Sequence, residues 1–134
     1  MIDPSPAEMR SEAVVPRPRV LVVDDEERVL GVAVRMLDAR GFDATGAATG
    51  AAALDALQPR GPGFEAVVLD HGLPDTTAID LLARIRELAP GIPVVLISGN
   101  PITLESVPGA TSVLRKPFTL DGLTAAVRGA LATK

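Results

Sequence analysis

The sequence VLVVDD at residues 20–25 joins four adjacent apolar, mostly β-branched residues to two carboxylates. Similar apolar runs follow at residues 66–69 (AVVL) and 94–97 (VVLI), and a shorter run occupies residues 112–114 (SVL). Continuous runs of this kind are typical of parallel strands that helices cover on both faces of a sheet. Residues 42–45 (FDAT) are more polar, which indicates an edge strand.

Segments with helical spacing separate the predicted strands. Apolar residues recur every three or four positions within residues 29–40, 52–57, 79–86 and 120–131, which predicts four helices. Gly41 follows the first segment directly and suits the left-handed conformation that often ends a helix. The alternation of strands and helices predicts a doubly wound α/β fold with functional sites at the carboxyl ends of its strands.

Length and composition limit the classes of function. The chain has 134 residues, which suits one domain. Its net charge of −4 and its 2% of aromatic residues argue against direct binding to nucleic acid. The absence of cysteine and the single histidine, His71, exclude thiol chemistry and cysteine- or histidine-rich metal sites. No apolar run approaches the roughly 20 residues of a membrane helix, and no secretory signal opens the chain. We therefore expect a cytoplasmic protein with no membrane partner.

The domain boundaries follow from the distribution of proline. Residues 1–18 contain four prolines among small and charged residues. Proline at this density interrupts both helices and strands, so we predict a disordered leader over residues 1–18 and one folded domain over residues 19–134. The chain ends soon after the last predicted helix, and we therefore expect it to carry no separate output domain.

Polar side chains stand at the predicted ends of four strands. Asp24 and Asp25 follow the first long apolar run, Asp70 the second and Ser98 the third, and Lys116 comes soon after the last strand. Carboxylate oxygens are ligands that Mg²⁺ and Mn²⁺ prefer, and hydroxyl and ammonium groups suit phosphate. Taken alone, the two adjacent aspartates would rather be a solvated acidic loop at the start of a helix. The complete set favours a site for a metal ion and phosphate.

Four stretches together resemble the receiver domain of response regulators in bacterial two-component signalling. They are VLVVDDE at residues 20–26, VLDHGLP at 68–74, SG at 98–99 and LRKPF at 114–118. The resemblance extends over about residues 18–134. It implies a flavodoxin-like fold whose five parallel strands take the order 2-1-3-4-5.

The resemblance also implies a role for each matching residue in phosphoryl transfer. Asp70 would accept the phosphoryl group, Ser98 would hydrogen-bond one of its oxygens, and Lys116 would pair with another. A cis peptide bond between Lys116 and Pro117 is expected from the family. The chemistry agrees with these roles, because a lysine ammonium offsets the charge repulsion that an attacking carboxylate meets.

A metal site is the second implication. In the family, Asp24 and Asp25 would hold Mg²⁺, or Mn²⁺, together with Asp70 and the backbone carbonyl of Gly72. A divalent cation at this position neutralises the phosphoryl oxygens during transfer. Glu26 follows the pair directly and is expected to be a charge of the first helical turn that also lines the site.

The sequence departs from the family pattern at three places. Ala78 stands where the family usually has a glycine, so Thr76 or Thr77 is expected to cap the following helix instead. Val113 stands where many receivers have an aromatic switch residue. Ser98 and Lys116 are only 18 positions apart, several fewer than in the family. We therefore predict that the helix between strands four and five is a single turn or missing, in a mobile connection.

Two hypotheses of different classes follow. In the first, the chain is a phosphoacceptor that receives phosphate from a sensor histidine kinase, a histidine phosphotransfer protein or a small acyl phosphate, and then signals to an unknown downstream protein. Unlike an enzyme, it would then not turn over a separate substrate. In the second, it is a receiver-like interaction module that works without phosphorylation. The missing aromatic residue and the shortened connection favour the second hypothesis, and the complete set of site residues favours the first.

Other interpretations of the same residues are weaker. An Asp-x-Asp phosphatase needs a second aspartate where this chain has Gly72, and the first strand is followed by carboxylates rather than by a glycine-rich phosphate loop. His71 could gate access to Asp70, but an ordinary exposed loop residue is the favoured interpretation.

Overall fold

The computed structural model describes residues 17–58 and 63–132 of the chain, and strands alternate with helices along almost all of this length. The elements are β1 (Arg19–Val23), α1 (Glu27–Ala39), β2 (Asp43–Ala47), α2 (Gly50–Ala56), β3 (Ala66–Asp70), α3 (Ala78–Leu88), β4 (Val94–Ser98), a 3₁₀ turn (Leu104–Ser106), β5 (Ser112–Arg115) and α4 (Leu120–Ala132). The predicted strands and helices are confirmed, with ends that differ by no more than two residues.

The five strands form one parallel sheet in the order β2-β1-β3-β4-β5. This order confirms the flavodoxin-like fold. In the register of the sheet, Val23 lies beside Leu69, and Asp70 lies beside Ile97. The residues that end β1, β3 and β4 therefore meet at one edge of the sheet, as expected for parallel strands.

Both faces of the sheet are buried, which explains the continuous apolar runs. Alternate strand residues pack against α2 and α3 on one face and against α1 and α4 on the other. The strand residues of the first face include Leu21, Val23, Val67, Leu69 and Leu96, and those of the second include Val20, Val22, Val68, Val95 and Ile97.

The connection between β4 and β5 has one 3₁₀ turn in place of a regular helix, which confirms the prediction of a shortened helix. Val107 in this connection is buried. The guanidinium of Arg86 donates hydrogen bonds to the carbonyl of Ile92, before β4, and to the carbonyl of Gly109, in the connection. Arg86 therefore ties α3 to the connection. Gly109 has a φ of +97°, a conformation that glycine adopts without strain. The predicted mobility of this connection stays a prediction.

Two helix ends agree with the sequence. Gly41, with a φ of +95°, follows α1 in the left-handed region. Thr77 is the N-cap of α3, and its hydroxyl accepts a hydrogen bond from the backbone N–H of Asp80 at 3.1 Å. Ala78 then begins the helix as a buried residue. Alanine is tolerated here because its φ is not positive, so this position does not need the conformational freedom of glycine.

Most of the predicted leader lies outside the described residues. Its last two residues, Arg17 and Pro18, contact the domain. The guanidinium of Arg17 donates to the carbonyl of Phe42, and the carbonyl of Pro18 accepts from the N–H of Asp43 at 2.9 Å. Within the described part of the chain, every helix is too short or too polar to cross a membrane.

Candidate functional site

A cleft of about 300 Å³ opens at the carboxyl edge of the sheet. The ends of β3 and β4 and the segments after β1 and β5 form its walls. Its lining combines carboxylates, a hydroxyl, an ammonium group and glycine backbone. The residues that line it are Asp25, Glu26, Asp70, His71, Gly72, Ser98, Gly99, Asn100 and Lys116.

Three carboxylates converge at this cleft. Asp24 follows β1 and is only 2% exposed, Asp70 ends β3 and is 6% exposed, and Asp25 is exposed. One carboxylate oxygen from each of the three lies within 4.8 Å of the others. Oδ1 of Asp24 also accepts a hydrogen bond from the backbone N–H of Glu26 at 2.9 Å. The structure thus brings together the three aspartates that the sequence predicted.

Lys116 connects two of these carboxylates. Its Nζ donates to Oδ1 of Asp70 at 3.1 Å and lies 3.3 Å from Oδ2 of Asp24. The exposed Glu26 lies further away, at 4.0 Å. The peptide bond between Lys116 and Pro117 is cis, as expected.

The electrostatics of the cleft favour an added cation. Burial raises the pKa of Asp24, and the neighbouring charge of Asp70 raises it further, against the opposing effects of the Glu26 N–H and Lys116. Burial alone would lower the pKa of Lys116, but its hydrogen bond to Asp70 and the charges of Asp70 and Asp24 outweigh burial, so this pKa is raised. One ammonium group faces several carboxylates, and the cleft keeps an excess of negative charge.

The residues present fit a divalent metal ion. Three carboxylate oxygens within 4.8 Å of one another are the hard oxygen donors that Mg²⁺ and Mn²⁺ prefer. Two of the three carboxylates are almost fully buried, where uncompensated charge is costly. Gly72, the fourth predicted ligand, lies in the loop between β3 and α3 and lines the same cleft.

Ser98 and His71 also border the cleft. Ser98 is buried at the end of β4, and its Oγ accepts a hydrogen bond from the N–H of Asn100 at 3.1 Å. His71 is partly exposed, and its backbone N–H donates to the carbonyl of Ile97 at 2.8 Å. Asn100, which lines the cleft beside Ser98, was missed in the sequence, because a lone asparagine after a strand is also an ordinary turn residue.

A second feature that the sequence did not predict joins the loop after β3 to the start of α2. Both carboxylate oxygens of Asp75 accept hydrogen bonds from the start of α2, Oδ1 from the N–H of Gly50 at 3.0 Å and Oδ2 from the N–H of Ala51 at 3.1 Å. The partners are 25 and 24 positions apart in the sequence. No local pattern indicates such a contact.

An apolar groove of about 410 Å³ adjoins the cleft on the other side. Helix α1 contributes Val29, Val32 and Met36, and the segment after β5 contributes Pro117 and Phe118. Lys116 borders both the groove and the cleft. Val32 is 38% exposed, so the groove presents apolar surface to solvent next to the carboxylates.

Comparison with known proteins agrees with this geometry. Residues 20–128 match the family model described as response regulator receiver domain. The chain is 36% identical over 116 residues to the transcriptional regulatory protein KdpE of Mycobacterium tuberculosis, a match that covers 84% of this chain and 50% of KdpE. It is 36% identical over 121 residues to PrrA of Mycobacterium leprae, covering 87% and 51%. The chain therefore spans about half the length of these regulators.

Solved structures show the same fold. A CheY-like response regulator receiver domain protein from Methanospirillum hungatei JF-1 superimposes with a TM-score of 0.80 at 25% identity, covering 88% of this chain and 96% of that chain. A response regulator receiver protein from Sinorhizobium medicae WSM419 gives a TM-score of 0.78 at 30% identity, covering 89% and 98%. The similarity extends over nearly the whole length of both structures.

Proposed function

The chain belongs to the response regulator receiver domain family of two-component signalling, and on that basis we propose that it is a phosphoacceptor in a phosphorelay, with Asp70 as the residue that takes the phosphoryl group. One observation carries the proposal. Asp70 ends a central strand at the floor of an open cleft, bonded to Lys116 and beside two further carboxylates. We infer that the domain is a signalling module that turns over no separate substrate.

The chemistry is transfer of a phosphoryl group to a carboxylate. An Asp70 oxygen forms a bond to phosphorus while the bond from phosphorus to the donor breaks, and the electron pair of that bond leaves with the donor. Water later attacks the phosphorus of the acyl phosphate, which releases phosphate and restores the carboxylate. Lys116 Nζ, now 3.1 Å from Asp70 Oδ1, is close enough to pair with a phosphoryl oxygen, and Ser98 Oγ can donate to another.

Asp24, Asp25, Asp70 and the backbone carbonyl of Gly72 are the residues that would hold Mg²⁺ or Mn²⁺. When bound there, the cation would neutralise the phosphoryl oxygens and so lower the repulsion between them and the carboxylate. Without that neutralisation, the negative charge of Asp24 and Asp25 repels the incoming phosphate. The acidic residues thus make the transfer dependent on the metal.

Metal removal gives the first prediction. Intact mass after incubation with acetyl phosphate and Mg²⁺ is expected to increase by one phosphoryl group, and EDTA is expected to reduce the rate of this increase at least about 100-fold, since one preorganised electrostatic contact is worth about 10²–10³ in rate. Excess Mg²⁺ added after EDTA restores the reaction. Equal rates with and without EDTA would contradict the role of the acidic cluster.

We further propose that the protein donor, a sensor histidine kinase or a histidine phosphotransfer protein, docks on the apolar groove beside the cleft. A donor must bring its phosphohistidine to Asp70, so its contact surface has to border the cleft. The groove does so through Lys116, and its α1 wall exposes Val32. Exposed apolar surface next to a reaction site is typical of a protein contact.

The second prediction separates docking from chemistry. Val32→Asp is expected to slow transfer from an autophosphorylated kinase about tenfold, equivalent to about 1.4 kcal/mol, and to leave the acetyl phosphate reaction unchanged. Ile79→Asp is the matched control, because Ile79 is 54% exposed on a different helix, α3. The kinase is selected beforehand for rapid transfer to the unchanged chain. Equal slowing by both variants would contradict docking on the groove.

The second candidate function is a receiver-like interaction module that works without phosphorylation. Two observations favour it: Val113 in place of an aromatic residue, and the single 3₁₀ turn between β4 and β5. Both belong to the surface through which many receivers report their phosphorylation. Calorimetry with Mg²⁺ distinguishes the two candidates, because an interaction module of this kind has no need of a metal ion.

A further inference from the structure

The loop between β3 and α3, residues 71–77, is attached to the rest of the domain at two places after the phosphoacceptor strand. Leu73 inserts into the core and is only 8% exposed. Both carboxylate oxygens of Asp75 then accept hydrogen bonds from the backbone N–H groups of Gly50 and Ala51 at the start of α2. Between Asp70 and these two anchors lies Gly72.

The contact between this loop and α2 is close. A Cβ atom built on Gly50 would lie 2.5 Å from Cγ2 of Thr76 and 3.3 Å from a carboxylate oxygen of Asp75. Any side chain at this position would require the Thr76 side chain to move. The hydrogen bonds from α2 also lower the pKa of Asp75, so the carboxylate keeps its charge at neutral pH.

The space beside Gly72 is open on the side where a side chain would point. Apart from its chain neighbours, no described residue has an atom within 4 Å of the place where its Cβ would be, and the residue is exposed. The position of its carbonyl therefore depends on the attachments that flank it in the chain, Asp70 at the strand end on one side and Leu73 and Asp75 on the other.

We propose that Asp75 is a positioning residue for the metal site: by fastening the loop to α2, it holds the Gly72 carbonyl where Mg²⁺ is bound. The inference rests on the proposed function, since it takes Gly72 as a metal ligand. Asp75 itself is exposed, contacts neither Asp70 nor Lys116 in any described hydrogen bond or ion pair, and acts through the loop. Residues that orient metal ligands in this way commonly contribute strongly to affinity.

Mg²⁺ affinity, measured by calorimetry on the full chain, tests this role. Asp75→Ala is expected to weaken Mg²⁺ binding about tenfold, and Asp75→Asn, which keeps one acceptor oxygen, is expected to show a smaller loss. Thr49→Ala is the matched control. Thr49 is the N-cap of the same helix, its Oγ accepts from the N–H of Ala52 at 3.0 Å, and it does not touch the loop in any described hydrogen bond.

The control separates positioning from stability. Asp75→Ala and Thr49→Ala each remove acceptors from the start of α2, so both are expected to lower the denaturant midpoint, whereas only the first changes Mg²⁺ affinity. Similar weakening of Mg²⁺ binding by Thr49→Ala and Asp75→Ala, or unchanged binding in Asp75→Ala and Asp75→Asn, would overturn the inference alone. Absence of Mg²⁺ binding by the unchanged chain would overturn both the inference and the metal site on which it rests.

Discussion

Asp70→Asn is expected to take up no phosphate from acetyl phosphate and Mg²⁺ during the time in which the unchanged chain becomes fully modified. The amide has nearly the same shape as the carboxylate, so it keeps the packing at the end of β3, where Asp70 is 6% exposed. It loses the negatively charged oxygen that forms the bond to phosphorus. Intact mass spectrometry reads the result directly as the presence or absence of one added phosphoryl group.

The control is Asp55→Asn, which makes the same chemical change on the exposed side of α2 and is expected to be modified at the normal rate. The Asp70→Asn variant is also expected to keep the fold, because it removes one of three neighbouring negative charges and Lys116 retains Asp24 as a partner at 3.3 Å. Phosphorylation of a folded Asp70→Asn variant at the parent rate would place the acceptor elsewhere and would remove the main support for the proposed function.

Much of the fold and of the acidic cluster could be predicted from the sequence because both follow from short-range patterns. A continuous apolar run such as residues 20–23 indicates a strand covered on both faces. Once the strands are parallel and neighbouring, the residues directly after them must meet at one edge, so Asp24 and Asp70 were predicted to lie together. The resemblance added the strand order and the roles of the residues, which periodicity alone does not contain.

The remaining features depend on contacts between distant parts of the chain. The hydrogen bonds from Gly50 and Ala51 to Asp75 join segments that are 24 and 25 positions apart and that only the folded sheet brings together. Arg86 is similar, because in the sequence it is an ordinary charge on α3, whereas in the structure its guanidinium holds the connection before β5 through Gly109. Side chains that bind backbone carbonyls leave no partner to find in the sequence.

Val113 affects how this domain can transmit a signal. In many receivers an aromatic residue at the position of Val113 moves together with the hydroxyl residue, here Ser98, when the acceptor is phosphorylated. Val113 is a small apolar side chain that packs against the core of the sheet, and it can report no such movement through a ring. We expect the response of this domain to leave by a different surface. The loop at residues 71–77 and the start of the connection between β4 and β5 both line the cleft, and α1 begins directly after Glu26, which lines it too.

Lys116→Met is expected to give the largest change in stability among the site variants, a loss of about 2–3 kcal/mol in unfolding free energy at pH 7 without Mg²⁺. Removal of one partner from a buried ion pair commonly costs about 3–5 kcal/mol, and the partial exposure of Lys116, whose side chain is 20% exposed, reduces this figure. Asp24 and Asp70 would remain as buried carboxylates without their cation. Urea denaturation of the parent and the variant measures the difference.

The pH dependence of that difference tests its cause. The pKa of Asp24 is already raised above its ordinary value of 3.8, with burial as the main cause, and loss of the lysine charge raises it further. The folded variant then binds a proton more tightly than the unfolded chain, so its deficit is greatest above the raised pKa and shrinks as the pH falls toward 3.8. Mg²⁺ at pH 7 is expected to reduce the same deficit, since a bound cation replaces the missing charge.

Lys116→Arg provides the matched comparison, because it keeps the positive charge while it changes the shape of the donor. It is expected to retain most of the stability that Lys116→Met loses. Lys116→Met should still accept phosphate, more slowly than the parent, because Asp70 and the other carboxylates remain. A deficit of the same size at low and neutral pH, with and without Mg²⁺, would mean that Lys116 stabilises the domain by packing rather than by charge, and the electrostatic account of the cleft would then be wrong.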